Sequence, residues 1–251
     1  MDFNLHDAGV TTEQHSNPAP VALVTGASRG LGLALVGALA RRGWRLVIDA
    51  RDPVRLAAAV ETLPAVGEVT ALAGDISDRA HRQSLAVAVR HVGRLDLLVN
   101  NASSLGPSPL VPLADHPLDV LEQVYAVNTL APLGLTQLLL PQLERSAGRV
   151  LNITSDASTQ AYRGWGGYGS SKAALDQLTA VLAVEHPTLR IYAFDPGDMA
   201  TELHQAAYPG EDISDRPDPD AVVPALLSLI DGDLPSGRYR VTDLRPEPAL
   251  R

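Results

Sequence analysis

Cysteine is absent from all 251 residues. Disulfides, thiolate nucleophiles and cysteine-based zinc or iron–sulfur sites are thereby excluded, and the composition suits a reducing compartment. Long apolar runs are missing too. Stretches such as Leu138–Pro141 fall far short of the roughly 20 residues a membrane helix needs. The first nineteen residues hold Asp2, Asp7 and Glu13 and no apolar core, so no signal peptide is read there. Positive charge is in deficit: 20 Lys and Arg against 29 Asp and Glu give a formal net charge of −9. That balance disfavours nucleic acid as a partner. The seven histidines, at 6, 15, 81, 91, 116, 186 and 204, have no metal-ligand spacing, so no metal is expected. A cytoplasmic protein without membrane or nucleic-acid partners is the expectation.

What is present is an alternation. Buried-strand runs are read at 21–25, 45–49, 69–73, 95–99, 149–153 and 189–193, with a possible last strand at 238–242. Helical spacing falls between them, over 30–42, 53–63, 78–91, 118–144, 167–185 and 220–230. Residues 1–19 read as a polar extension and 20–251 as one α/β domain. Strict alternation argues a doubly wound parallel sheet with helices on both faces. Such sheets bind ligands beyond the carboxyl ends of their strands. The loop at 205–220, with three Pro and five Asp or Glu, is either a substrate lid or a solvated connection.

Chemistry-bearing residues sit just after the strands. Thr25-Gly-Ala-Ser-Arg-Gly-Leu-Gly32 follows the first strand and opens a helix. Gly26 permits a tight turn. Gly30 and Gly32 let backbone N–H groups and the helix N-terminus approach a pyrophosphate. A glycine-rich turn without ligand is the plainer alternative. Tyr168 and Lys172 stand at i, i+4 on one helical face. A neighbouring ammonium favours phenolate, so the Tyr168 pKa is expected to fall, giving an acid–base group usable at neutral pH. Ser155 follows the fifth strand, where its hydroxyl reaches a substrate oxygen or merely shapes a turn. Asn128 lies inside the 118–144 helix, four residues before Pro132. Proline has no N–H, so the Asn128 carbonyl loses its helical partner and a kink is expected.

Taken in order, these residues resemble the short-chain dehydrogenase/reductase family in its compact single-domain form. The matching motifs are Thr25–Gly32, Asp75-Ile76, Asn100-Asn-Ala102, Asn128, Ser155, Tyr168 with Lys172, and Pro196-Gly197, covering about 21–201. The resemblance implies a Rossmann-type sheet of about seven strands and a nicotinamide cofactor. It implies Tyr168 as proton donor and acceptor and Ser155 holding the same substrate oxygen. Lys172 would bind the nicotinamide ribose, and Asn128 would anchor a water that passes protons to Lys172. Gly26, Ser28, Arg29, Gly30, Leu31 and Gly32 would form the phosphate turn. Asp75 and Ile76 would flank the adenine, Asn101 and Ala102 the adenosine side, and Pro196, Gly197 and Thr201 the nicotinamide end. Dimers or tetramers packed through 118–144 and 167–185 are also implied.

Two departures stand out. Ser103 follows Asn-Asn-Ala where the family usually has Gly. The closing segment Arg238–Asp243 lacks the usual Gly pair. Cofactor choice turns on the end of the second strand. Ala50 occupies the position where an acidic residue would bind the NAD ribose, while Arg51 and Arg29 suit a 2′-phosphate. Asp49 is the rival acceptor, and strand alternation puts it on the opposite face. NADP(H) is therefore preferred and NAD(H) stays open. The reading is a carbonyl/alcohol oxidoreductase acting on a small molecule. The alternatives are an NAD-dependent alcohol dehydrogenase on the same site, or a non-catalytic nucleotide sensor on the same fold. Tyr162, Trp165, Met199, Leu203 and Tyr208 are candidates to line the substrate pocket; His204 either reaches that pocket or, the preferred reading, sits at the surface.

Overall fold

The computed structural model describes residues 19–65 and 67–244. The extension read over 1–19 therefore lies outside the described residues, save Ala19. Seven strands form one parallel sheet: β1 (Val21–Val24), β2 (Arg45–Ala50), β3 (Val69–Ala73), β4 (Leu97–Asn100), β5 (Arg149–Ile153), β6 (Arg190–Asp195) and β7 (Gly237–Arg240). Their order is β3-β2-β1-β4-β5-β6-β7. The chain winds outward one way from β1 through β2 to β3, then crosses back to β4 and winds the other way. The reversal between β1 and β4 is where such sheets open a ligand crevice.

Among the described residues eight α-helices flank the sheet: α1 (Gly30–Arg41), α2 (Pro53–Thr62), α3 (Arg79–Val92), α4 (Leu118–Tyr125), α5 (Ala131–Ser146), α6 (Gly166–Glu185), α7 (Glu202–Ala207) and α8 (Val223–Asp231). Leu31, Leu35 and Leu39 of α1, Leu56 of α2 and Leu226 and Leu229 of α8 pack on one face. Leu85 and Val89 of α3, Leu135, Leu139 and Leu143 of α5 and Leu182 of α6 pack on the other. The five inner strands, β1, β2, β4, β5 and β6, are thus covered on both sides, which is why they read as continuous apolar runs; the edge strands β3 and β7 are only partly covered. Start signals are local. Asp52 accepts hydrogen bonds from the Val54 and Arg55 N–H groups at the head of α2, and Asp78 does the same for Ala80 at α3.

Three readings change in detail. The helix expected over 118–144 is two helices joined by a π-helical turn, Ala126–Leu130. Pro132 cannot donate to Asn128, so the regular ladder breaks where the kink was expected. β4 begins at Leu97, because Asp96 turns its carboxylate to the Val21 N–H at 2.8 Å. The segment taken as one loop starts with a helix, α7, whose first turn is capped by the Thr201 hydroxyl accepting from the His204 N–H.

Candidate active site

All seven strands run the same way, so their carboxyl ends share one edge. A cleft of about 1250 Å³ opens there. One half is made by the turn after β1. Gly26 has φ +65°, and a Cβ on it would stand 2.9 Å from the Ala102 Cα. A Cβ on Gly32 would come within 2.5 Å of the Gly26 carbonyl oxygen. Glycine is therefore obligatory at both. Asn101 pins this turn by donating from Nδ2 to the carbonyls of Thr25 (2.9 Å) and Gly26 (3.1 Å). The head of α1 has no side-chain cap and no acid in its first turn. Its free N–H groups and dipole favour an anion. These features fit the pyrophosphate of a dinucleotide. Gly26, Ser28, Arg29, Gly30, Leu31, Asp75, Ile76, Asn101, Ala102, Pro196, Gly197 and Thr201 all line the same cleft.

At the end of β2 the two candidate selectors separate. Asp49 is buried, accepting from the Gly26 N–H at 2.8 Å and pairing with His81 Nε2 at 3.0 Å. Asp49 lines the cleft, but both of its carboxylate oxygens are already engaged by the glycine turn and His81. Arg51 is exposed at the cleft and has no ion pair among the described residues. Burial works against the Asp75 carboxylate, but hydrogen bonds from Ser77 and the charge of Arg51 outweigh it and hold its pKa below the usual range. Arg29 is ion-paired with Glu202, which also takes Arg55 at 2.9 Å. Arg29 is thus held at the cleft by an acid rather than free, and Arg55, which sequence reading overlooked, shares that acid.

The other half gathers the expected chemistry. Tyr168 and Lys172 come from the first turns of α6, and Ser155 from the end of β5; all three line the cleft. Asn128 does not line it. It is fully buried, accepting from the Ser104 N–H (2.8 Å) and the Ser103 hydroxyl (3.2 Å), and donating to the Ser104 carbonyl and the Ser171 hydroxyl. Ser155 caps a short 3₁₀ turn, and its hydroxyl donates to Asp156 at 3.0 Å. Lys172 Nζ donates to the Ile153 carbonyl at 2.8 Å and stands 5.6 Å from the Tyr168 ring centroid.

The pKa expectation for Tyr168 is corrected. Burial pushes the phenol up to about 12; a hydrogen bond to Ser103 opposes the rise, and the Asp195 and Asp156 charges add to it. Burial also pulls Lys172 down to about 8, with Asp176 opposing. The same desolvation that keeps the phenol neutral weakens the ammonium meant to ionise it. His204 is corrected as well: it is buried, lines the cleft and stacks near Tyr208 with ring centroids 5.0 Å apart.

A family model described as short chain dehydrogenase matches residues 20–212. The chain belongs to the short-chain dehydrogenase family. This dehydrogenase is 36% identical over 201 residues to sepiapterin reductase of Mus musculus, covering 74% of this chain and 77% of that one. It is 40% identical over 176 residues to a rhamnolipids biosynthesis 3-oxoacyl-[acyl-carrier-protein] reductase of Pseudomonas aeruginosa, covering 66% of each. Its fold matches an alcohol dehydrogenase from Thermococcus sibiricus, complexed with 5-hydroxy-NADP, with a TM-score of 0.80 and 28% identity over 92% of this chain and 100% of that one.

The sequence reading marked Ser103 as a departure without giving its partners, and missed Arg238 as a residue of the dehydrogenase's site. Ser103 touches both Asn128 and Tyr168. Arg238 of β7 clamps the loop after β5, donating to the Ser155 carbonyl (3.0 Å), Asp195 (3.1 Å) and Asp176 (3.1 Å). No local pattern marks Arg238. One signal was available and unused: Lys172 is the only lysine in the chain, beside nineteen arginines. Arginine stays charged when buried, whereas lysine is the cation whose pKa burial moves. A lone lysine in an arginine-only chain marks a position where the guanidinium does not substitute.

Proposed function

We propose that this dehydrogenase interconverts a carbonyl compound and a secondary alcohol with NADP(H). The observation that carries the reading is the meeting of Tyr168, Lys172 and Ser155 with the uncapped head of α1 across one cleft. Bound NADPH would supply the hydride; Gly26–Gly32 would hold its pyrophosphate and Lys172 its nicotinamide ribose. The remaining work falls to side chains. Ser155, by turning its single O–H from Asp156 to the substrate oxygen, donates to that oxygen and orients it. Tyr168, protonated at neutral pH because burial disfavours phenolate, hands its proton to that oxygen as negative charge develops there. The raised phenol pKa suits the reducing direction. Lys172 offers its spare N–H donors toward the site, and Asn128 braces the turn carrying Ser103 and Ser104.

NADP(H) preference is supported by the exposed Arg51 and by an Asp49 carboxylate already engaged by the Gly26 N–H and His81. Self-association through the α4–α6 face is part of the proposal. Leu118, Leu130 and Val184 on that face are 73%, 59% and 81% exposed, and a partner would cover them. The test is cofactor oxidation followed at 340 nm with NADPH and NADH across a carbonyl panel. NADPH-driven turnover is expected. Faster turnover with NADH, or NADPH binding without reduction of any carbonyl, would overturn the reading.

A further inference from the structure

The chain is poor in aromatics: two Trp, six Tyr and two Phe among 251 residues. Four of those ten, Tyr162, Trp165, Tyr168 and Tyr208, line the cleft. Three of them form a connected wall. Trp165 meets Tyr168 edge-on with centroids 5.6 Å apart, and Tyr208 lies 6.1 Å beyond Trp165. Leu110 and Leu203 pack on the same cluster. Behind Tyr208 sits His204, whose Nε2 is buried without a hydrogen-bond partner. The charges around this wall are mostly negative. Asp156, Asp195, Asp198, Asp218 and Asp220 line the cleft, against Arg163 and Lys172 on this side of it.

Resting on the carbonyl-reductase reading above, we infer that the substrate is a free, uncharged aromatic ketone whose ring seats against Trp165 and Tyr208. A planar ring next to the carbonyl gains edge-on and offset-stacked contacts with this wall. It also covers apolar surface that a short aliphatic ketone leaves bare. An acyl group tethered to a phosphopantetheine arm brings phosphate past the acidic rim, where like charges repel. His204 Nε2 gives the aromatic end one polar contact, open to a second oxygen beside the ketone once the imidazole turns toward it. One relative acts on a carrier-bound 3-oxoacyl group, as its name states; the wall and the rim of this cleft set it apart from that use.

The test compares three probes on the NADPH-loaded protein: 1-phenyl-1,2-propanedione, 2,3-hexanedione and acetoacetyl-coenzyme A. The aryl dione should exceed the alkyl dione in kcat/KM by about tenfold or more, the scale of one or two aromatic contacts. The coenzyme A ester should be the slowest of the three. Tyr208→Leu should shrink the aryl-to-alkyl ratio at least about fivefold. A binding measurement backs the kinetics: the aryl dione should quench tryptophan fluorescence of the NADP⁺-loaded protein, and Trp165→Phe should abolish that quenching. Equal rates for the two diones, an unchanged ratio in Tyr208→Leu, or fastest turnover of the coenzyme A ester would overturn the inference while leaving carbonyl reduction standing. Failure of all three probes to consume bound NADPH would overturn both.

Discussion

The two halves of the cleft are built by different means. The half beside β1 and β2 uses backbone: a glycine turn, an uncapped helix head and buried side chains that brace them. Asn101 donates to the turn's carbonyls, and Asp49 accepts from its first glycine N–H. The half beside β5 and β6 uses side chains brought from three distant loops: Ser103, then Ser155 to Tyr168, then Leu203 to Tyr208. Backbone recognition tolerates little change, because a Cβ at Gly26 or Gly32 collides with fixed atoms. Side-chain recognition leaves the sheet untouched when it varies. One scaffold therefore serves a constant ligand on one side and a changeable one on the other.

Breaking the brace of the first half should give the largest effect. Asp49→Ala leaves the Gly26 N–H and the His81 ring without their buried partner. It should lower stability by about 2–4 kcal/mol, read by urea unfolding, and weaken NADPH and NADH alike. Selective loss of NADH would instead make Asp49 the ribose acceptor. Arg51→Ala should act on one cofactor alone. Losing a charge-assisted contact costs about 1.5–3 kcal/mol, so NADPH affinity should fall about ten- to a hundredfold with NADH little changed, as measured by fluorescence titration.

The smallest effect sharpens the second half. Lys172 sits at about 8, below its ordinary 10.5, because burial penalises its charge. Between those values the unfolded chain holds more protons than the folded one, so wild-type stability rises with pH across that window. Lys172→Met removes the penalty and forfeits the hydrogen bond to Ile153. The variant should be inactive and yet about 1–2 kcal/mol more stable at pH 7. Its advantage should vanish by the top of the window. A variant less stable than wild type at pH 7 would mean the buried ammonium is well compensated.

The same division explains what the sequence disclosed. Strands buried on both faces, the Thr25–Gly32 turn and the Tyr168/Lys172 spacing are local patterns fixed by backbone geometry. The kink at Asn128 followed from a proline four residues on. Arg238 and Glu202 were opaque, and Ser103 was marked without its contacts, because the partners lie tens of residues or more away; Glu202 meets Arg29 across 173 positions. His204 was misplaced for a related reason. A histidine on a short, amphipathic helix gives no local sign that an aromatic wall will cover it. The Tyr168 pKa was misjudged because spacing reports the neighbouring charge and is silent on burial.

The central claim is that cofactor holding and proton delivery belong to separate halves of one cleft. Tyr168→Phe tests it most directly, with kcat and NADPH affinity measured on the same preparation. Phe keeps the ring that packs against Trp165 and removes only the proton. The account predicts a loss of about 10²–10⁴ in kcat with NADPH affinity within about twofold of wild type, a shift under about half a kcal/mol. A variant that keeps more than about a tenth of kcat, below the range expected for a general acid, or that loses NADPH binding along with turnover, would contradict it.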